Sequence, residues 1–399
     1  MIENRNIICI ASNWFYDPTS KHHIMRILSE RNHVIWVNYH ASRRPSANMA
    51  DAGAIIGKLR QVVQGPIRVS DHMTVITPMV VPLPGNSAAM AINRRLLTRQ
   101  IRSVLRDLPD RPVQLWSFSP DVDYLCGTFD EECVIYYCVD EFSAFTGYDR
   151  EAVLASEKRL CDRADLVVTT SQSLLHVKEP HCRHAALVTH GVDFDHFAGG
   201  SIAPIPADMT QIRNPVLGFW GLIQDWFDVQ LVADVAKARP EWSLVLIGDI
   251  ATDVSRLRSL GNMHLLGRRP YGELPAYARA FDVGLIPFRV NDLTRAVNPI
   301  KLREYLSAGL PVVSTPMPEV ERYRGLVEIA NGAEEFIGAC ERALALRGAE
   351  EAAKRMTAMR TETWRSKVED LSRLVTSIAN EPQCDWTSSR VCPAPSGMG

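Results

Sequence analysis

The segment Thr294-Arg-Ala-Val-Asn-Pro-Ile-Lys-Leu-Arg-Glu-Tyr-Leu-Ser-Ala-Gly-Leu-Pro-Val-Val-Ser-Thr-Pro316 decides how this chain is read. Asn298 can cap a helix, Pro299 suits its first turn because its missing N–H would have no intrahelical partner, and Gly309 can end it. Pro311-Val-Val-Ser-Thr315 then has the form of a short buried parallel strand. Lys301 and Glu304 share one face of that helix, near its positive end. A cation, a carboxylate and free helix-end amides together can hold a phosphate and the hydroxyl pair of a ribose. The bland alternative, a surface ion pair, would not need the cap, the stop and the buried strand around it.

On either side of this segment, apolar runs alternate with helical patterns. Strands are expected at 215–220, 243–247, 263–266, 283–286 and 311–314, and earlier at 7–11, 33–37, 73–77, 113–116, 134–137, 166–170 and 186–188. Helices such as 20–31 and 150–163 separate them, and this alternation demands parallel sheets covered by helices. A chain of 399 residues is also too long for one core. The turn-rich stretch Ala198-Gly-Gly-Ser-Ile-Ala-Pro-Ile-Pro-Ala207 reads as a linker. The expected class is therefore α/β, with two Rossmann-like domains facing a cleft: residues 1–197 and 213–348, joined by 198–212. A helical segment at 349–380 is expected to pack back toward the first domain, and 381–399 lacks periodicity and reads as a flexible tail.

Composition narrows the class. With 46% hydrophobic and 23% charged residues the chain is of ordinary globular type, and no apolar run approaches the ~18 residues of a membrane span. No signal-peptide pattern precedes Ile7, so a cytoplasmic protein is expected. Nine cysteines without C-x-x-C spacing fit reduced thiols, and no metal is expected. The formal charge of -2 conceals a basic start: residues 1–111 hold 15 Lys and Arg against 7 Asp and Glu. Arg94, Arg95, Arg99, Arg102 and Arg106 are interleaved with Met90, Ile92, Leu96, Leu97, Ile101, Val104 and Leu105. That is the form of an amphipathic helix at an anionic membrane, or of a surface helix with a solvated basic face.

No G-x-G-x-x-G follows the first strand and no P-loop pattern occurs, so nicotinamide and P-loop readings lose their main support. In open parallel sheets ligands lie beyond the carboxyl ends of strands, and four such loops stand out. Gly221 in Gly218-Phe-Trp-Gly221 permits close backbone approach to an anion. Arg268 and Arg269 directly follow a strand and can meet phosphate with multidentate donors. The third loop is the opening segment with Asn298. In the fourth, a strand ends in Asp140 and Glu141, where a desolvated carboxylate can act as a general base or a helix cap. His190, after another strand, either lines the cleft or satisfies a buried turn.

Taken jointly and in order, Ala164-Asp-Leu-Val-Val-Thr-Thr-Ser171, His190-Gly-Val-Asp-Phe-Asp-His-Phe197, Phe281-Asp-Val-Gly-Leu-Ile-Pro-Phe288 and Asn298 to Val313 resemble the GT-B glycosyltransferases. The likeness is to the group-1 enzymes of bacterial exopolysaccharide and cell-wall polymer synthesis, over residues 5–375. It implies that Glu304 holds the donor ribose, while Lys301 and the amides near Asn298 and Gly221 support the diphosphate. The arrangement is also similar to the glucuronosyltransferases of xanthan assembly, which implies Asp140 in Val139-Asp-Glu-Phe-Ser143 as the base. Retaining relatives carry a Glu where this chain has Ala296, and their basic residues after the second-domain glycine loop are replaced around Gln224 to Asp228.

The expected activity is transfer of a sugar from a nucleotide-diphosphate sugar to a hydroxyl of a polyprenyl-diphosphate-linked saccharide. Asp140 is the expected base. Gly221, Arg268, Arg269, Asn298, Lys301 and Glu304 are the expected donor-binding residues, with His190 and Glu141 in the cleft. No cofactor, metal or nucleic acid is expected, and peripheral contact with the inner membrane face is. A retaining transferase, a nucleotide-sugar epimerase and a noncatalytic nucleotide-sugar-binding scaffold are alternatives on the same fold.

Overall fold

Apolar runs, most of them buried on both faces, become the central strands of two sheets in the computed structural model, which describes residues 1–39, 64–83, 85–202 and 204–379. The first sheet contains β1 (Asn6–Ala11), β2 (His33–Asn38), β3 (Ile67–Ser70), β4 (Met73–Ile76), β5 (Val113–Ser117), β6 (Cys133–Cys138), β7 (Leu166–Thr169) and β8 (Ala185–Leu187). Their order is β3-β4-β2-β1-β5-β6-β7-β8, and every pair except β3 with β4 is parallel. The second sheet contains β9 (Val216–Trp220), β10 (Ser243–Ile247), β11 (Met263–Gly267), β12 (Val283–Ile286), β13 (Val312–Ser314) and β14 (Glu328–Ile329). Its order is β11-β10-β9-β12-β13-β14, parallel throughout.

Each sheet reverses its strand order once, at β1/β5 and at β9/β12. Crevices for ligands open at such points, beyond the carboxyl ends of the strands. The loops after β1 and β9 are therefore the ones the fold sets beside a cleft.

The helix of the opening segment runs Ile300–Ser307, with Pro299 at the N-cap and no side-chain cap. Its end is a Schellman turn: Gly309 takes φ 76, its N–H donates to Leu306 O at 3.1 Å, and Leu310 N–H donates to Tyr305 O at 3.0 Å. That turn delivers the chain straight into β13.

Two boundaries differ from expectation. Helix Phe194–Ala198 already belongs to the second core, where Phe197 stacks 5.8 Å from Trp220, so the second body starts ahead of residue 197. The helical stretch from Ala349 is two helices, Ala349–Met359 and Trp364–Ala379. The break is held by a second partner: Val192 N–H donates to Glu362 O at 2.9 Å and Val192 pairs with Thr363 as a parallel bridge. The tail read from 381 onward lies outside the described residues, as does residue 203 of the linker.

Trp364, Val368, Leu371 and Val375 of the last helix are buried among Ile7, Ile24, Leu28 and Trp36 of the first sheet's core. Arg365 pairs with Glu30 at 2.7 Å on the same face. Helix Ser87–Leu105 divides its apolar residues: Leu97, Ile101 and Val104 are buried, whereas Ile92 and Leu96 are exposed. No helix among the described residues is long and apolar enough to cross a membrane.

Candidate active site

Between the two sheets lies a cleft of about 540 Å³. Its second-domain wall is built at the β9/β12 reversal. Gly221, at φ 135, closes β9, and its N–H is already used on Ile247 O at 2.9 Å. A Cβ on Gly221 would stand 3.3 Å from Lys301 Nζ, and one on Gly248 would stand 1.9 Å from Gly221 O. Gly221 thus serves close approach of loops and of the lysine, while its amide is spent on the backbone.

Lys301 and Glu304 both line the cleft from the first turns of helix Ile300–Ser307. The Lys301 ammonium lies 5.3 Å from the Phe219 ring centroid and 5.0 Å from that of Phe288. Burial pushes its pKa down, against the pull of Glu304 and Asp140. Glu304 Oε2 accepts from Trp220 Nε1 at 2.7 Å. Burial pushes its carboxyl up, and the Trp220 bond and Lys301 hold it back. One carboxylate oxygen is thereby fixed on the indole, which orients the group toward the cleft.

Arg268 and Arg269 line the same cleft, each with a carboxylate partner. Arg268 forms a bidentate pair with Asp17 across the domains, at 3.0 Å for both bonds. Arg269 donates to Asp208 at 2.8 Å and to Tyr277 Oη at 2.8 Å, so it also ties the interdomain segment to the second domain.

The first-domain wall comes from Tyr16, Asp17, Pro18 and Thr19 after β1. Helix Ser20–Leu28 follows, and its second residue, Lys21, acts electrostatically on Asp140 at the end of β6. The Asp140 carboxylate has no hydrogen-bond or ion-pair partner among the described residues. Burial pushes its pKa up to about 7; Lys21 and Lys301 oppose the rise and Glu141 adds to it. The neighbouring carboxylate has the opposite fate. Glu141 pairs with Lys178 at 3.1 Å and accepts from Ser143 Oγ at 2.6 Å, and these outweigh burial to hold it below its ordinary value. Lys178 also pairs with Glu157 at 2.7 Å, and Tyr136 Oη donates to Glu157 at 2.6 Å. Two adjacent acids are thus sorted, one into a buried ion-pair network and one left with only the electrostatic pull of Lys21 and Lys301.

The structure therefore brings together Gly221, Arg268, Arg269, Lys301 and Glu304 in the cleft lining, and links Asp140, which is not part of that lining, to them through its electrostatic interaction with Lys301. It sets three expected residues elsewhere. Asn298 is buried at the domain junction, donating to Thr170 O at 2.7 Å and accepting from Arg303 at 2.6 Å, and does not line the cleft. His190 is buried against Trp364 at 5.8 Å, and Glu141 is committed to Lys178. Burial holds His190 neutral, its pKa near 3, with Arg303 and Lys367 pushing the same way. Lys21, Trp220 and the Tyr16–Thr19 loop went unnoticed in sequence. The signal available for Lys21 was its place in the first turn of the helix that follows β1, at a strand-order reversal.

Residues 214–345 match the family described as "Glycosyl transferases group 1". The putative teichuronic acid biosynthesis glycosyltransferase TuaH of Bacillus subtilis (strain 168) is 30% identical over 273 residues, covering 63% of this chain and 68% of that protein. Among solved structures, sucrose-phosphate synthase from Thermosynechococcus elongatus superposes with a TM-score of 0.68 at 14% identity, over 94% of this chain and 99% of that one. Anabaena HepE in complex with UDP superposes with a TM-score of 0.63 at 13% identity, over 94% of this chain and 100% of that one. Two parallel sheets facing a cleft are the GT-B arrangement these structures share. With the Bacillus relative matched over more than two thirds of its length, the chain belongs to the group 1 glycosyltransferases.

Proposed function

We propose that this glycosyltransferase moves a sugar from a nucleotide-diphosphate donor to a hydroxyl of a lipid-linked saccharide, with Asp140 as general base. The observation that carries the reading is the Asp140 carboxylate, without a hydrogen-bond or ion-pair partner among the described residues, raised to about 7 and within electrostatic reach of the cleft lysine Lys301. A base must be free to take a proton and have a pKa near the operating pH.

In this scheme Glu304 holds the ribose and Lys301, with the helix end behind it, meets the diphosphate. The acceptor oxygen attacks the sugar's anomeric carbon, its proton passes to Asp140, and the bond from that carbon to the diphosphate oxygen breaks. Lys301 offsets the charge that develops on the departing diphosphate. HepE bound to UDP supports a donor of this chemistry.

Helix Ser87–Leu105 supports a peripheral contact with an anionic membrane. Arg94, Arg95 and Arg99 on it and Arg106 at its C-cap are exposed without an ion-pair partner among the described residues, no acidic residue interrupts it, and Ile92 and Leu96 stand out beside them.

The decisive experiment measures donor binding and turnover in Asp140→Asn. Retained donor-induced thermal stabilisation with lost transfer supports the assignment, and full transfer by the folded variant would sink it.

A further inference from the structure

Phe142, Phe145 and Tyr148 follow Asp140 closely in the chain, yet none of them belongs to the cores of the first sheet. Their rings form a row, with centroids 6.0 Å apart from Phe142 to Phe145 and 5.8 Å from Phe145 to Tyr148. The row continues across the domain gap, where Phe145 meets Trp226 edge to face at 6.1 Å. Trp226 is held by its backbone: Arg289 N–H donates to Trp226 O at 2.8 Å, which ties the loop after β9 to the end of β12. All four rings are half-buried, so each keeps part of its surface in solvent.

The row lies beside the reacting centre and apart from the nucleotide side. Neither Phe145 nor Trp226 lines the donor cleft, whose far end is marked by Arg268 and Asp17. Lys301 connects the two regions. Its ammonium rests over Phe219 and Phe288, Phe219 packs on Phe227 at 4.9 Å, and Trp226 precedes Phe227 directly. At its outer end the row reaches Asp149, which shares a surface cavity with Gly85 and Asn86 at the start of the basic helix Ser87–Leu105.

We infer that this aromatic row is the subsite for the acceptor's sugar rings, with Phe145 and Trp226 as its platform. A pyranose has faces of C–H groups bearing partial positive charge and hydroxyls at its edge. An aromatic ring presents a negative face that attracts the former while leaving the latter in water. A saccharide lying on the row directs an edge hydroxyl to Asp140, and its lipid end leads toward the basic helix. Because one ring comes from each domain, the platform is complete only when the domains are apposed. This rests on the transferase reading above.

The test uses octyl β-glucoside, octyl β-galactoside and octyl N-acetyl-β-glucosaminide below their micelle concentrations, with saturation-transfer NMR as readout and UDP-induced thermal shift as control. For wild type, saturation should reach the pyranose ring protons of at least one glycoside. Phe145→Ala and Trp226→Ala should weaken that binding roughly three- to tenfold, Trp226→Phe should largely restore it, and the UDP shift should be unchanged throughout. Alanine variants that bind the glycosides like wild type, saturation confined to the octyl chain, or glycoside binding lost only together with the UDP shift would overturn the subsite. Absence of a thermal shift in wild type with UDP, GDP, ADP and dTDP alike would instead overturn the nucleotide-donor reading beneath it.

Discussion

Trp220 Nε1 donates to Glu304 Oε2 at 2.7 Å, joining the last residue of β9 to the helix that carries Lys301. The bond is buried, so its loss is felt twice. Trp220→Phe should cost about 1–3 kcal/mol by leaving a buried carboxylate oxygen without its donor, read by urea denaturation. Glu304→Gln keeps an acceptor for the indole and should preserve stability while weakening the donor-induced thermal shift. Equal donor binding by Glu304→Gln and wild type would remove Glu304 from the ribose role.

Asp140 sets an expected pH profile. Its pKa near 7 means that kcat/KM should climb with rising pH through about 7 and level off above it, because only the deprotonated form accepts a proton. Asp140→Asn should lower turnover by roughly 10²–10⁴-fold and abolish that limb.

The same group should also be visible in stability. A carboxyl whose folded pKa exceeds its unfolded value binds more protons when folded. It therefore removes stability as pH rises from about 4 to about 7. Asp140→Asn should accordingly be more stable than wild type at pH 8, on the order of 1–3 kcal/mol, and by little at pH 4. Denaturant titrations at the two pH values check this, and an equal difference at both would contradict it.

His22 should make the protein acid-sensitive in a defined window. Burial, then Lys21 and Arg26, hold its pKa near 3, and its Nδ1 accepts from Thr19 N–H at 3.1 Å in the capping box of helix Ser20–Leu28. The unfolded state binds the proton first, so this contribution to stability is intact above the ordinary histidine value of about 6.5. It is lost progressively as pH falls from there toward 3. His22→Gln should flatten that part of the Tm–pH curve.

Gly248→Ala should damage the donor wall. The added Cβ would fall 1.9 Å from Gly221 O at a φ of 143 that side chains rarely adopt. We expect a Tm lower by several degrees and loss of the donor-induced shift, whereas Gly261→Ala, where a Cβ meets open space, should show neither.

The basic helix predicts salt-sensitive binding to vesicles containing anionic lipid. Arg95→Glu with Arg99→Glu should abolish co-sedimentation, each charge near the surface contributing about 1 kcal/mol, and leave the UDP shift intact. Undiminished co-sedimentation would assign the helix a solvated role.

Continuous apolar runs made most strands readable in sequence, because a strand covered on both faces needs no alternation. β3 and β14 escaped, one an alternating antiparallel edge and the other only two residues long. Lys301 and Glu304 were readable because helix spacing alone puts them together. Asn298 was misplaced because its neighbours Thr170 and Arg303 are set by domain packing, which no local pattern encodes. Asp140 and Glu141 are adjacent carboxylates that local pattern alone does not tell apart; only the family resemblance singles out Asp140. What separates them is Lys178, brought to Glu141 by the fold.

The chain passes between its halves twice, and the two passages run side by side as Val192 pairs with Thr363. Helix Trp364–Ala379 therefore completes a core whose other members were laid down by the earliest strands. On a ribosome the first domain must wait for the second before its apolar face is covered. The two halves are one unit of synthesis: the second is a contiguous stretch between the two passages, but the first cannot be exchanged with a relative as a single contiguous piece.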